Sequence, residues 1–459
     1  MATWDVRESP CNTSNGNRLQ ADDKPIHDWY RFVLSYPPHL VREYLKAFRV
    51  DPQSDLVLDP FCGTGTTPVE AKLRGFRSAG VEANPMLFLA SSVKTHWSLD
   101  TVRIRALLDH IIDYADGCVT LSGLPTVGSR RTQLSLPGWA AISRVRDPNS
   151  FDPDFILPSE AYSLIPEGFI GRNQLTRVLS LRQALERIVP DGPEMKFLQV
   201  GLAKTIVAYA GNVGFGPEVY RLPQRPDSDI VGAYWTVVSQ MIEDLRYVQG
   251  LPVGNPEPKC YMFDSDAREL NLVDDLPPIG CVVTSPPYPN EKDYTRSTRL
   301  ESVLLGLIRS KSDLRHVKDH LLRSNTRTVF ARDDDDRFIR DIKPIVQVSE
   351  EIERRRVELH KTSGFERLYH KVTLLYFGGM YRHLASLLPH LKHGARCAYV
   401  VGDQMSYFRV HIQTAKLLAE VALKAGYEVE GIDLWRTRRA TATRRDIDEN
   451  VLIIRRPRE

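Results

Sequence analysis

Apolar and polar positions alternate with two different periods along this chain. Short apolar runs bounded by turn residues are typical of buried strands, whereas apolar residues at every third or fourth position are typical of helices. The predicted strands lie at residues 56–58, 78–81, 259–263, 279–283, 394–403, 429–435 and 450–454. Helical periodicity separates several of them, so both ends of the chain follow an α/β pattern.

The middle of the chain has a different organisation. Residues 99–256 are predicted to form a mainly helical insert, with periodicity at 102–114, 172–189, 194–210 and 229–247. Residues 301–369 form a second insert that is rich in charge. The α/β core is therefore split into residues 25–98, 257–300 and 370–459, and the polar residues 1–24 are expected to be a flexible N-terminus.

Composition sets broad limits. A length of 459 residues with 42% hydrophobic content is sufficient for a large core and for more than one structural unit. The net charge is only +3, so overall charge does not single out a nucleic-acid-binding protein. The six cysteines are scattered without metal-ligand spacing, so we expect reduced thiols and no metal site. No apolar run is long enough for a membrane span.

One short polar segment directly follows the predicted strand 279–283; it reads Thr284-Ser285-Pro286-Pro287-Tyr288. Two prolines stop the strand pairing and make the backbone stiff. A hydroxyl on Ser285 and a flat ring on Tyr288 then suit a planar base with an exocyclic amine, because oxygens accept the amine hydrogens while the ring stacks. The alternative is a proline turn that merely ends a strand.

A second motif follows the strand 56–58. It reads Asp59-Pro60-Phe61-Cys62-Gly63-Thr64-Gly65-Thr66-Thr67, and a helix is predicted to begin near Thr67 and Pro68. The glycines let the backbone approach a ligand closely, although the pattern is neither a dinucleotide fingerprint nor a P-loop. Acidic residues follow two other strands, Glu82 and Asp266. A carboxylate at the end of the second strand can accept both hydroxyls of a ribose, whereas a lone acid is more often solvated.

Together the two motifs resemble those of the DNA amino-methyltransferases, which use S-adenosyl-L-methionine. The resemblance implies a class I methyltransferase (Rossmann-like) α/β fold, a seven-stranded mixed sheet with helical insertions. It implies the catalytic residues Ser285, Pro286, Pro287 and Tyr288. It also implies cofactor contacts from Asp59, Phe61, Gly63, Gly65, Thr66, Glu82, Asp266 and Tyr36. His27 and Trp29 are further candidates at the methionine end, or anchors for the first strand.

The family resemblance leaves the target base open. A serine before the two prolines favours the N4 amine of cytosine, whereas aspartate favours the N6 amine of adenine, so we expect cytosine with adenine as the alternative. Many cytosine-N4 enzymes have the two motifs in the reverse order. The glycine motif also resembles that of tRNA guanine methyltransferases, and a non-catalytic DNA-binding subunit is a further alternative.

The expected partner is double-stranded DNA, with a separately acting restriction endonuclease as a possible second partner. Candidate phosphate contacts are Arg296, Arg299, Arg436, Arg438 and Arg439, followed by Arg444 and Arg445; the alternative is a solvated surface. With no recognition domain expected after the last hairpin, the insert 99–256 is the candidate target-recognition region. The expected location is the cytoplasm, in a bacterial cytosol or nucleoid, without a membrane partner.

Overall fold

The fold is organised around one large sheet. The computed structural model describes residues 6–9, 19–32, 35–124, 156–216, 219–254, 257–270, 272, 276–439 and 446–458. Its strands are β1 (Val6–Glu8), β2 (Leu56–Asp59), β3 (Arg77–Val81), β4 (Val213–Phe215), β5 (Val219–Arg221), β6 (Cys260–Phe263), β7 (Ile279–Thr284), β8 (Leu391–Gly402), β9 (Glu428–Arg439) and β10 (Asp446–Arg455). Eight of these pair in the order β1-β9-β10-β8-β7-β2-β3-β6.

The centre of the sheet is parallel and one side is mixed. Strands β6, β3, β2, β7 and β8 run parallel to one another. Strand β10 lies antiparallel between β8 and β9, as a hairpin partner of β9. The carboxyl ends of the parallel strands meet at one edge, which is where open α/β sheets place their ligands.

The strand count differs from the sequence-based expectation. Every strand predicted from the apolar runs is present, but the sheet has eight strands rather than seven. The additional strand, β1, lies in the N-terminal segment expected to be flexible and pairs with Ile432–Leu434 of β9. All three of its side chains are exposed, so no apolar pattern marks it. Backbone pairing and the ion pair between Arg7 and Asp433, 3.2 Å apart, hold it in place.

Helices cover both faces of the sheet. They are α1 (Lys24–His27), α2 (Pro38–Phe48), α3 (Thr66–Leu73), α4 (Pro85–Thr95), α5 (Thr101–Leu121), α6 (Ser159–Ser163), α7 (Arg172–Ile188), α8 (Pro193–Thr205), α9 (Ile230–Gln249), α10 (Tyr294–Ser297), α11 (Arg299–Leu304), α12 (Lys311–Asp319), α13 (Lys343–Glu358), α14 (Tyr369–Leu387) and α15 (Thr414–Lys424). Alternate strand residues face opposite layers: Val57 belongs to the same apolar cluster as Leu40 of α2, and Leu58 to the cluster that contains Tyr376 of α14.

The helical insert forms its own apolar core. Helices α5, α7, α8 and α9 pack together and join α4 and α11 in one continuous cluster of buried side chains. A π-helical turn, Ile206–Ala210, follows α8 and leads into the β4–β5 hairpin, which the periodicity did not predict. No helix in the described part of the chain combines the length and apolarity needed to cross a membrane.

The second insert packs against α14 through a glycine. A methyl group on Gly378 would clash with the backbone carbonyl of Asp335, which belongs to a 3₁₀ turn at Asp335–Phe338. Backbone atoms cannot move aside as the end of a flexible side chain does. The close approach therefore depends on the missing side chain.

We predict that Gly378→Ala lowers the free energy of unfolding by about 1–3 kcal/mol, because the added methyl group overpacks this contact. Urea unfolding followed by circular dichroism measures the change. Gly117→Ala is the matched control, since Gly117 is an exposed helical position in α5 with no atom near the added methyl group. The control should be neutral or more stable, by up to about 1 kcal/mol. Equal stability of both variants would contradict the packing argument.

Candidate active site

A cavity of about 310 Å³ opens at the carboxyl edge of the sheet. The loops after β2, β3, β6 and β7 form its floor, and the β9–β10 hairpin and part of the second insert form its sides. Residues proposed from the sequence that line it are Tyr36, Phe61, Gly63, Thr66, Glu82, Asp266, Ser285, Pro286, Pro287, Tyr288, Arg436 and Arg438. The structure thus brings together side chains from both motifs, from both acidic strand ends and from the final hairpin.

The glycine motif makes a tight turn between β2 and α3. Gly63 and Gly65 both adopt left-handed backbone angles, with φ of 52° and 85°. They have different roles: Gly63 lines the cavity, whereas a methyl group on Gly65 would lie 3.0 Å from the Cβ of Ser91 in α4. Helix α3 begins at Thr66 with Gly65 as its N-cap, two residues earlier than the predicted cap at Thr67 and first helical residue at Pro68.

Glu82 holds the loops after β2 and β3 together. Its two carboxylate oxygens accept the backbone N–H groups of Gly63, at 2.9 Å, and Asn84, at 2.8 Å. Burial raises the pKa of Glu82 to about 7, although these hydrogen bonds oppose the shift. Each oxygen can accept a further hydrogen bond, so Glu82 presents a preoriented acceptor pair to the cavity.

Asp59 lies beneath the cavity and does not line it. The hydroxyl of Thr284 donates to one carboxylate oxygen at 2.6 Å, and the hydroxyl of Tyr36 donates to the other at 2.7 Å. Burial raises the pKa of Asp59 to about 6, with these two hydrogen bonds acting in the opposite direction. Thr67, expected as a helix cap, instead donates to the carbonyl of Val283 at 2.9 Å. Asp59 therefore connects the ends of β2 and β7 to the segment before α2.

Asp266 is paired with Arg268, an arginine that no sequence motif marks. Arg268 donates from Nε to both carboxylate oxygens at 3.0 Å, and from Nη2 to one of them at 2.6 Å. Arg268 is only 6% exposed and also reaches Asp335 of the second insert, at 3.4 Å. In the sequence, the only indication of this pair is that Arg268 follows Asp266 by two residues. Asp266 thus lines the cavity, and the hydrogen bonds from Arg268 fix the orientation of its carboxylate.

The Ser285–Tyr288 segment extends into the cavity from the end of β7. The Ser285 hydroxyl donates to the carbonyl of Val400 at 3.1 Å, so its only hydrogen is used and its lone pairs can accept. Tyr288 lies against β8: a methyl group on Gly402 would be 2.9 Å from its ring. Burial and the charge of Glu449 raise the pKa of Tyr288, so its phenol is neutral.

Two of the proposed DNA contacts lie at the cavity instead of on an open surface. Arg436 and Arg438 both pair with Glu449, whose side chain is 6% exposed; the Arg438 Nε lies 3.0 Å from a carboxylate oxygen. The Arg436 guanidinium also stacks over Trp435, 4.4 Å from the ring centre. Glu449 was not predicted as a site residue, because nothing in its local sequence distinguishes it from a solvent-exposed acidic residue.

Three further arginines proposed from the sequence, Arg296, Arg299 and Arg439, do not line the cavity. Arg299 is folded back on its own helix, donating to the carbonyl and the hydroxyl of Thr295 at 3.2 and 3.0 Å. Arg296 is half-buried in α10, and Arg439 is exposed at the end of β9. Arg444 and Arg445 lie outside the described residues.

Other cavity residues come from segments without a motif. Phe32 and Tyr294 line the cavity with ring centres 5.7 Å apart, as do Lys292 and two residues of the second insert, His320 and Asn325. The two other candidates for the methionine end do not line the cavity and are buried elsewhere. His27 pairs with Glu70 at 2.9 Å, and Trp29 donates to Asp244 at 3.0 Å, so both anchor the segment before α2. Within the described ranges, no cluster of three His, Cys, Asp or Glu side chains is arranged to hold a metal ion.

Comparison with known proteins agrees with this geometry. Residues 3–91 match the family model described as DNA methylase. The type II methyltransferase M.BsoBI of Geobacillus stearothermophilus is 22% identical over 319 residues, which cover 65% of this chain and 59% of that protein. M.MjaII of Methanocaldococcus jannaschii is 31% identical over 86 residues, 18% of this chain and 16% of that protein. M.AvaI of Nostoc sp. is 26% identical over 161 residues, 33% and 31% of the two chains.

The similarity is broad but partial. The alignment with each of these relatives spans less than two thirds of the relative's own length. The matches support the resemblance to the DNA amino-methyltransferases, and the sheet with its helical insertions is consistent with a class I methyltransferase fold.

Proposed function

We propose that this protein transfers a methyl group from S-adenosylmethionine to the N4 amine of a cytosine in double-stranded DNA. The observation that carries the proposal is the meeting of Gly63, Glu82 and the Ser285–Tyr288 segment in one cavity. The similarity to proteins named type II methyltransferases supports DNA as the substrate. The N6 amine of adenine is the alternative, because the same groups would serve both amines.

The residues around the glycine turn suit S-adenosylmethionine. Glu82 would accept the two ribose hydroxyls, and Gly63 leaves room for close backbone approach. Phe61 and Ala267 offer apolar surface for a flat ring beside Asp266, which would accept the adenine amine. When bound, the cofactor supplies a methyl group activated by its sulfonium.

The Ser285–Tyr288 segment would hold the target base. Its amine is inaccessible within the base stack, so the nucleotide must be turned out of the duplex into the cavity. Ser285 and the carbonyl of Pro286 would accept the amine hydrogens, and Tyr288 would stack on the ring. Positioning and exclusion of water would provide most of the acceleration.

Sequence recognition is proposed to reside in the helical insert 99–256, and Arg296 and Arg439 would contact phosphates. A restriction endonuclease that acts separately on the same sequence is the proposed partner. Nuclease assays on DNA from cells with and without this protein would detect the protection that such a pair requires.

Replacing Glu82 with alanine is expected to weaken S-adenosylmethionine binding by about 1.5–3 kcal/mol, the range for hydrogen bonds to a charged group. Because the pKa of Glu82 is about 7, the carboxylate forms as pH rises, and affinity should increase between pH 6 and pH 8. Titration calorimetry measures both effects. Glu82→Gln should remove the pH dependence, and Asp266→Ala should also weaken binding. Parent affinity in both alanine variants would contradict the assigned cofactor site.

Ser285→Ala and Tyr288→Ala should bind the cofactor normally but lose methyl transfer. Removing one amine acceptor raises the barrier by about 2–4 kcal/mol, and removing a stacking ring costs about 1–3 kcal/mol. Tyr288→Phe is the control, since it keeps the ring and should retain most activity. Mass spectrometry of digested DNA should show N4-methylcytosine. N6-methyladenine alone would reject cytosine, and methylated RNA with unmodified DNA would reject the proposed substrate.

Arg296→Gln and Arg439→Gln should weaken binding to all DNA sequences and reduce the salt slope by about one each, because each removes one phosphate contact. Fluorescence anisotropy at several salt concentrations provides the slope. Arg354→Gln serves as the control, since Arg354 pairs with Glu351 at 2.6 Å on exposed α13. A slope equal to that of the control would show that both arginines are ordinary surface residues.

A further inference from the structure

The Arg436–Glu449–Arg438 group, hereafter the mouth triad, lies on the β9–β10 hairpin next to an irregularity in the strand pairing. Glu449 pairs with Arg436 and Asn450 pairs with Leu434, so Trp435 is an extra residue on β9. Such a bulge re-aims side chains and is common beside active sites. The two arginines lie beyond the bulge at the cavity wall, where Arg436 is the direct cross-strand partner of Glu449 and Arg438 follows on the same face of β9.

The mouth triad lies directly beside the ring proposed to stack on the base. A methyl group on Gly402 would be 2.9 Å from Tyr288 and 3.3 Å from the Cγ of Glu449. Tyr288 and Glu449 therefore lie next to each other, separated only by the space that this glycine leaves. A planar ring stacked on Tyr288 would have its edge within reach of the triad.

Within the part of the chain that the structure describes, the mouth triad has N–H groups that form no hydrogen bond. Arg436 donates to Glu449 through Nε, which fixes its guanidinium plane, and Arg438 forms an ion pair with the same carboxylate at 3.0 Å. Among the described residues, neither Nη group of Arg436 has a hydrogen-bond partner, and Arg438 reaches only the Asp403 carbonyl, at 3.5 Å. One buried carboxylate between two guanidinium groups leaves a net positive charge. The triad can thus donate to acceptor atoms on a ligand.

Cytosine and adenine differ at the edge next to the amine. Cytosine presents two neighbouring acceptors, a ring nitrogen and a carbonyl oxygen. Adenine presents a ring nitrogen followed by a C–H. Parallel N–H donors on a guanidinium match two adjacent acceptors, whereas a lysine ammonium does not provide this fork.

We propose that the mouth triad determines base specificity: Arg436, oriented by Glu449, donates to the ring nitrogen and carbonyl of the turned-out cytosine, with Arg438 supporting it. Arg436 and Arg438 are then base-reading residues instead of phosphate contacts, and Glu449 is a positioning residue. This inference rests on the proposed cytosine methyltransferase function and extends it to the choice of base.

The test compares Arg436→Lys, Glu449→Gln and the parent protein on unmodified plasmid DNA. Arg436→Lys keeps the charge, so the salt slope of DNA binding should not change. The single-turnover rate on cytosine should fall about tenfold or more, the scale of one lost bidentate base contact. Glu449→Gln should lower the same rate while S-adenosylmethionine affinity stays constant. The ratio of N4-methylcytosine to N6-methyladenine should fall in both variants.

Arg455→Lys is the matched control, because Arg455 pairs with Glu430 at 2.9 Å across the same two strands, away from the cavity. It should retain the parent rate and product ratio. If Arg436→Lys and Glu449→Gln also match the parent, the mouth triad does not read the base, although the methyltransferase assignment stands. If the parent protein itself modifies no DNA base, the proposed function fails first.

Discussion

The buried carboxylate of Asp59 is the interaction on which the site depends most. It accepts hydrogen bonds from Thr284 and Tyr36, which lie far from it in the sequence. A buried carboxylate without hydrogen-bond partners destabilises the fold. Conformations that separate Asp59 from Thr284 or Tyr36 are therefore disfavoured. The residue after Thr284 is the proposed amine acceptor, and Tyr36 lines the cavity. One acid thus fixes the glycine turn, the Ser285–Tyr288 segment and the cavity wall relative to each other.

A second polar network ties the charged insert to the same edge. Arg268 joins Asp266 to Asp335, and Arg382 of α14 also contacts Asp335. Because Asp266 accepts three hydrogen bonds from a buried guanidinium, its carboxylate is oriented before any ligand arrives. The second insert therefore helps to hold Asp266 in place at the proposed cofactor site, through the contact between Arg268 and Asp335.

The sequence predicts the sheet better than it predicts the site. Strands such as β7 and β8 are recognisable because burial on both faces requires continuous apolar runs. Strand β1 is not, since its exposed side chains carry no pattern and only pairing with β9 orders it. Glu449 and Arg268 were missed for a related reason: a charged residue becomes a buried site residue only through partners distant in the chain. Glycine and proline motifs were informative because they constrain the backbone locally.

The position of β10 has a consequence for the order of folding. This strand follows β8 and β9 in the chain yet lies between them in the sheet. Until residues 446–455 are in place, β8 has an unpaired edge and β9 cannot reach its final position. The parallel half of the sheet, with the glycine turn and Glu82, needs pairings between much more distant residues, such as Leu56 with Ile279 and Ser78 with Cys260. The wall that contains Glu449 is therefore expected to form during refolding before cofactor affinity appears, because β10 pairs with strands that are close to it in the chain.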